Sequence, residues 1–183
     1  MNIAIGDLLV ADPSLSEDYH FSRSVVLLSE VHKKGAVGFV LNKPLHYQLR
    51  DLVSEASAGI PIFNGGPVEP DNLYFIHSIA DTFEGSIKIG NSLYWGGSFE
   101  DVLDYLSINK DAASKFKFFL GYSGWESGQL QEELDEDAWI ITKNRYKQDI
   151  ISIPAQTLWK NEMIELGGNY LLYANAPENP KYN

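Results

Sequence analysis

Residues 21–41, FSRSVVLLSEVHKKGAVGFVL, decide the fold. The stretch carries two apolar runs rich in β-branched residues, which favours buried strands over residues 21–31 and 36–41. Between them, Lys33, Lys34 and Gly35 are typical of a turn. The stretch therefore predicts an antiparallel hairpin.

The rest of the chain adds strands and helices without a regular alternation. Further strands are predicted over residues 6–11, 73–79, 86–95, 116–122, 138–142 and 170–174. Helices are predicted over 49–56, 98–106, 129–134 and from Pro154 to Gly167. This order predicts an α+β fold, in which helices pack against a mixed β-sheet. One domain is expected over residues 1–175, followed by a mobile tail, residues 176–183.

Composition excludes several classes of protein. The chain has 183 residues, of which 44% are apolar, and this fraction is enough to bury a core. No apolar run approaches the roughly 20 residues that span a bilayer, so no membrane role is expected. The absence of cysteine excludes disulfides, thiolate metal sites and cysteine nucleophiles. The sequence starts without a basic segment typical of secretory signals, and we expect a cytoplasmic protein.

The charge balance disfavours direct binding of nucleic acid. Fourteen Lys and Arg stand against 25 Asp and Glu, a net charge of −11, and such a chain is repelled by phosphate backbones on average. The best local basic patch is Lys143, Arg145 and Lys147. Acidic residues crowd the segment 126–137 just before it, and they would oppose that patch if they fold beside it.

An anion pocket is predicted from three separate segments. In the predicted strand, Arg23 lies an even number of residues from Phe21, Val25 and Leu27, so its side chain would be on their apolar face. A charge on that face must be paired or lie at the end of the strand. Asn42 and Lys43 end the second strand of the hairpin, and the proline after Lys43 keeps that lysine extended. Gly65 and Gly66 could offer backbone amides. Together these residues are candidates for binding a small anionic ligand.

His77 is the sixth candidate ligand-binding residue, because it ends an apolar strand. An alternative function, a hydrolase, would use His77 with a carboxylate such as Asp71 and the Gly65–Gly66 amides as an oxyanion site. No catalytic residue is assigned, since Ser123 lacks the spacing of a nucleophile elbow and also fits a capping box with Glu126. The four histidines lack the spacing of metal ligands, so neither a metal nor a cofactor is predicted.

Trp125, Gln129 and Leu130 are candidates for binding a protein partner. If Trp125 is exposed beside the other two side chains, the three would form a docking surface. If it is buried, it is a core aromatic residue.

Several ordered motifs together resemble the AlgH/YqgE family of small bacterial proteins. They cover most of the chain and include GDLLVA at 6–11, FSRSVV at 21–26, GAVGFVLNKP at 35–44, NGGPV at 64–68, GYSGW at 121–125 and GQL at 128–130. The resemblance implies a mixed α+β domain and a role as a transcriptional regulator, with no established catalytic residues. With the acidic composition, it favours a non-catalytic protein that acts indirectly, through a protein partner or a small anionic ligand.

Overall fold

A computed structural model of the protein describes residues 3–56, 59–80, 82–90 and 92–176. These residues form one α+β domain, which confirms the predicted fold class. The strands are β1 Asp7–Ala11, β2 Val25–His32, β3 Gly35–Val40, β4 Pro44–Gln48, β5 Pro61–Asn64, β6 Val68–His77, β7 Ile87–Gly90, β8 Leu93–Trp95, β9 Phe116–Glu126 and β10 Trp139–Lys143. The α-helices are α1 Leu49–Leu52, α2 Phe99–Ile108, α3 Gln129–Asp135, α4 Ala155–Leu166 and α5 Tyr170–Asn175.

The predicted hairpin β2–β3 lies inside a sheet of order β10-β1-β2-β3-β9-β6-β8-β7. Strand β9 is central, with β6 on one edge and β3 on the other. The first half of β9 also pairs in parallel with β5, whereas the other described pairings are antiparallel. The sheet is therefore mixed, as the sequence predicts.

Three helices cover the apolar faces of the sheet. α4 packs Leu158, Trp159 and Met163 into the first core cluster, which includes side chains from β1, β2, β3 and β9. α2 covers the second cluster and α3 the third. None of the described helices is long and apolar enough to cross a membrane.

Local sequence signals explain where the helices begin and end. The Ser98 hydroxyl accepts the backbone N–H of Asp101 at 3.3 Å, and the acids of this first turn suit the positive end of α2. α4 begins directly after Pro154 and ends at Leu166, directly before Gly167, whose φ of +68° is left-handed. Both boundaries agree with the sequence prediction.

Five predictions of local structure were wrong. The strand expected from Phe21 begins only at Val25, so Arg23 lies in a turn and shares no strand face with the apolar residues. Residues 170–174 form helix α5 instead of a strand, because a short apolar run does not by itself distinguish the two. Residues 86–95 form the two strands β7 and β8 instead of one, and the helix expected over 49–56 stops at Leu52. Ser123 and Glu126 both lie within strand β9, so they form no capping box. In the expected mobile tail, residues 177–183 lie outside the described residues.

Candidate functional site

Three cationic side chains, Arg23, Lys43 and Lys160, line one cleft of about 470 Å³, which we call the basic cleft. Arg23 precedes β2, Lys43 precedes β4, and Lys160 lies on α4. The other lining residues are uncharged: Asn42, Pro44, Ala155, Gln156, Trp159, Ala174, Asn175 and Ala176. In a chain of net charge −11, a cleft whose described lining holds three cations and no acid departs sharply from the average surface.

The geometry of the hairpin explains why Arg23 and Lys43 meet. Val26 lies opposite Val40, so the residues just before β2 and just after β3 leave the sheet at the same end. Asn42 connects the two strands there: its Nδ2 donates to the Arg23 carbonyl at 2.9 Å, and its Oδ1 accepts the backbone N–H of Val25 at 2.9 Å. Both polar groups of this amide therefore bind backbone, and Asn42 acts by positioning Arg23.

Arg23 is held at the cleft in a strained backbone conformation. Its φ is +52°, and left-handed backbone costs a non-glycine residue on the order of 1 kcal/mol. The guanidinium lies over the indole of Trp159, 5.1 Å from the ring centroid, and Nη2 donates to the Ala176 carbonyl at 3.0 Å. Trp159 is itself fixed, since its Nε1 donates to the Ala11 carbonyl at 2.8 Å. Four non-glycine residues outside the cleft also have positive φ, so the strain alone does not mark a site: Glu69, Ser92, Asp137 and Lys147.

The two lysines differ in how firmly they are held. Lys43 is half-buried, and its Nζ donates to the Ser22 carbonyl at 2.5 Å. Lys160 is exposed on α4. Sequence analysis missed Lys160 and Trp159, because no local pattern connects α4 to the hairpin. The available signal was one tryptophan among the apolar positions of a helix.

Gly65 and Gly66 do not belong to the basic cleft, which corrects the predicted anion pocket. The Gly65 amide donates to the Leu120 carbonyl at 2.8 Å, and the Gly66 amide donates to Asn64 Oδ1 at 3.0 Å. Neither amide is therefore available to a ligand. A Cβ at Gly65 would lie 2.2 Å from the Gly121 carbonyl oxygen, so glycine is required here by the close approach of two backbones.

His77 is a packed core residue. It is 0% exposed, its ring stacks on Tyr94 at 5.4 Å between centroids, and its Nε2 lies 3.1 Å from the Ser86 hydroxyl. Burial lowers the pKa of His77, so its neutral form is favoured. Asp71 is exposed in the irregular part of the same strand, and the regular residues Leu73 to His77 alone separate the two by roughly 13 Å along β6. The groups of the hydrolase alternative are therefore not assembled into one site.

Trp125 and Leu130 are 6% and 5% exposed, so the exposure that a docking surface required is not found. The Nε1 atoms of Trp125 and Trp139 both donate to Oε2 of Glu133, at 2.8 and 2.7 Å. Gln129, which is exposed, donates from Nε2 to Oε1 of the same carboxylate at 2.8 Å. These motif residues join α3 to β9 and β10, which is a structural role.

The predicted basic patch is largely neutralised. Lys143 pairs with Asp7 at 2.7 Å, and Arg145 pairs with the fully buried Glu162 at 2.9 Å. Lys147 is exposed. In the part of the chain that the structure describes, no group of three or more His, Asp or Glu side chains could hold a metal ion.

Comparisons with known proteins agree with the resemblance. Residues 8–171 match the family model described as AlgH-like. UPF0301 proteins of Chlorobium limicola and Bacteroides thetaiotaomicron are 38% and 35% identical to this chain; the matches cover 97% of it and 95% and 90% of those proteins.

Two solved structures share the fold. Protein DIP2367 of Corynebacterium diphtheriae has a TM-score of 0.78 at 20% identity, over 96% of this chain and 94% of that one. The AlgH protein of Pseudomonas aeruginosa has a TM-score of 0.74 at 24% identity, over 97% and 98%. The family model and the sequence relatives span nearly the whole domain, and this chain belongs to the AlgH-like family.

Proposed function

We propose that the protein is a non-catalytic binding protein for a small polyanion, which it holds in the basic cleft. One observation carries the proposal: Arg23, Lys43 and Lys160 converge on one cleft whose described lining contains no acid, although the chain carries 25 acidic residues. An anion bound in this cleft would be attracted by all three cations at once. The cleft therefore gains most from a ligand with more than one negative charge.

The size and donors of the cleft support a small molecule. A volume of about 470 Å³ falls within the range of small-molecule sites and is far below that of a groove for a duplex. Arginine and lysine bind phosphate and carboxylate through charge-assisted hydrogen bonds. Gln156 and Asn175 add uncharged polar side chains to the lining. A compact molecule with phosphate or carboxylate groups fits these features.

We infer that a role in transcriptional regulation, which the family resemblance implies, is indirect. On this proposal the bound anion changes the affinity of the protein for a protein partner in the cytoplasm. Direct contact with DNA is not favoured, because Lys143 and Arg145 are already paired with acids. The burial of Trp125 and Leu130 leaves the partner surface unassigned.

Isothermal titration calorimetry of the full chain with pyrophosphate and with citrate tests the proposal. We expect saturable binding of at least one of the two, with an affinity that falls as salt is added. Arg23→Asn tolerates the left-handed backbone and removes the charge, so it should weaken binding about tenfold. Lys160→Met removes an exposed cation and should weaken binding about fivefold.

Lys110→Met is the matched control. It removes the same charge from an exposed lysine beyond the C-terminal end of α2, outside the cleft lining, and should leave the affinity unchanged. If neither probe binds saturably, or if Lys110→Met weakens binding as much as Lys160→Met, the proposal is wrong.

A further inference from the structure

A lysine without an acidic partner lies in the core of the domain. Lys117, on β9, is 4% exposed. Its Nζ lies 3.9 Å from the centroid of the Phe63 ring and donates to the Ile151 carbonyl at 3.3 Å. Among the described residues, no carboxylate lies within ion-pair distance of this ammonium. A buried charge without a counter-charge destabilises a fold, so its presence calls for a physical reason.

Both contacts of Lys117 lie next to the lining of the basic cleft. Phe63 is the register partner of Pro44, which lines the cleft directly after Lys43. Ile151 ends the 3₁₀ turn that leads into α4, whose first residues also line the cleft. Phe63, Ile151 and Trp159 belong to one core cluster. Both contacts of Lys117 are therefore close neighbours of residues that line the cleft, although Lys117 itself does not line it.

We infer that the missing counter-charge of Lys117 is the polyanion in the basic cleft, and that this lysine strengthens anion binding from beneath the site. The inference rests on the proposed function. A charge buried in a medium of low dielectric acts over a longer range than an exposed and screened one. Lys117 can thus favour a charged ligand over a neutral one without touching it.

Lys117 is charged at neutral pH, and the charged side chains on the elements near it are all exposed. Burial lowers the pKa of Lys117 to about 8, so the ammonium is the main form at neutral pH but loses its proton at a moderate increase in pH. β5 carries no charged residue. On the other elements packed near it, the charged side chains are Lys147 and Asp149 of the 3₁₀ turn and Glu69 and Asp71 of β6, and all four are exposed. Their charges are screened by solvent.

Binding and protonation must then be linked. If the Lys117 ammonium strengthens anion binding tenfold, the bound anion must raise the pKa of Lys117 by about one unit. Carbon-13 NMR of lysine-labelled wild-type protein measures that pKa directly. We expect the value for Lys117 to rise from about 8 to about 9 when citrate saturates the protein.

Calorimetry supplies a second readout. Citrate is fully ionised between about pH 7.5 and about pH 9.5. A change in affinity over this range therefore comes from titration of groups on the protein and not of the ligand. We expect the wild-type affinity to fall about fivefold, as follows from a tenfold linkage at this pKa. Lys117→Met should bind several-fold more weakly at about pH 7.5 and change less than twofold over the range. Lys115→Met, which alters an exposed lysine two residues away, should behave as the wild type does.

The possible failures are distinguishable. If citrate binds but the pKa of Lys117 stays at about 8 and Lys117→Met binds normally, this inference is wrong and the proposed function stands. If neither citrate nor pyrophosphate binds the wild type, both are wrong.

Discussion

Trp125 donates its indole N–H to Oε2 of Glu133 at 2.8 Å, and the same oxygen also accepts the indole N–H of Trp139. One carboxylate thus accepts hydrogen bonds from the indole N–H groups of two tryptophans, and both tryptophans are buried in the third core cluster. Hydrogen bonds to a charged acceptor are among the stronger ones in proteins. The contact joins one acid of α3 to a tryptophan on each of the strands β9 and β10.

Glu133→Gln should destabilise the domain by about 1–3 kcal/mol, because the amide removes the charge that both indoles bind. Urea unfolding monitored by tryptophan fluorescence measures the change. Glu132→Gln, at an exposed neighbouring position of α3, is the control and should stay within about 0.5 kcal/mol of the wild type. Equal midpoints for Glu133→Gln and the wild type would show that the double contact contributes little.

Gly66→Ala should lower the free energy of unfolding by about 3 kcal/mol. An added Cβ would lie 2.3 Å from the Tyr122 carbonyl oxygen, and the φ of +149° disfavours any side chain. Gly90→Ala is the matched control, because nothing lies within 4 Å of its added Cβ. Thermal unfolding of both variants provides the comparison, and similar melting temperatures would show that the close approach of Gly66 to Tyr122 does not require glycine.

His77 should make the fold sensitive to acid. Its pKa is lowered in the folded state, so the unfolded chain takes up a proton first as the pH falls below about 6.5. Stability from this residue is therefore fully present above about pH 6.5 and is lost at lower pH. His77→Phe should flatten the curve of unfolding free energy between about pH 6.5 and pH 5, whereas His20→Asn, at an exposed histidine, should not. Parallel curves for His77→Phe and the wild type would contradict this account.

Lys117→Met should stabilise the protein at neutral pH. The folded pKa of Lys117 is about 8 against an unperturbed 10.5, so the unfolded chain holds more protons between these values. Wild-type stability should rise as the pH increases through this window, by up to about 3 kcal/mol. Chemical unfolding at several pH values measures the slope. A variant less stable than the wild type at pH 7 would show that the ammonium is already well compensated.

Duplex DNA should not be retarded by the wild type in gel-shift assays at physiological salt. The cations of the best local basic patch, Lys143 and Arg145, are paired within the domain, and the net charge of −11 repels phosphate backbones on average. Retardation that weakens steeply as salt rises would overturn the indirect role proposed for the protein.

The sequence was informative wherever local pattern and neighbouring strands decide the structure. Pairing of the two strands over residues 21–41 was sufficient to place Arg23 near Lys43, because a hairpin returns its outer ends to one edge. The helix start at Ser98 followed from its hydroxyl and the acids after it.

Contacts between segments that are distant in the sequence could not be predicted from local patterns. Lys160 reaches the cleft because α4 packs across the sheet, a placement that no spacing in the sequence encodes. The amide of Gly65 is bound by Leu120 of β9, a contact between distant segments, whereas the amide of Gly66 is bound locally by Asn64. The buried state of Trp125 depended likewise on how α3 docks against the strands.

The pairing of β1 with β10 joins Leu8 to Thr142, so the first strand finds its outer neighbour only after strands β2 to β9 have been synthesised. α4 and Ala176, which complete the basic cleft, emerge from the ribosome later still. A nascent or prematurely terminated polypeptide can therefore carry Arg23 and Lys43 and yet hold no anion. On the proposed function, an occupied cleft would mark chains that have been synthesised at least as far as Ala176.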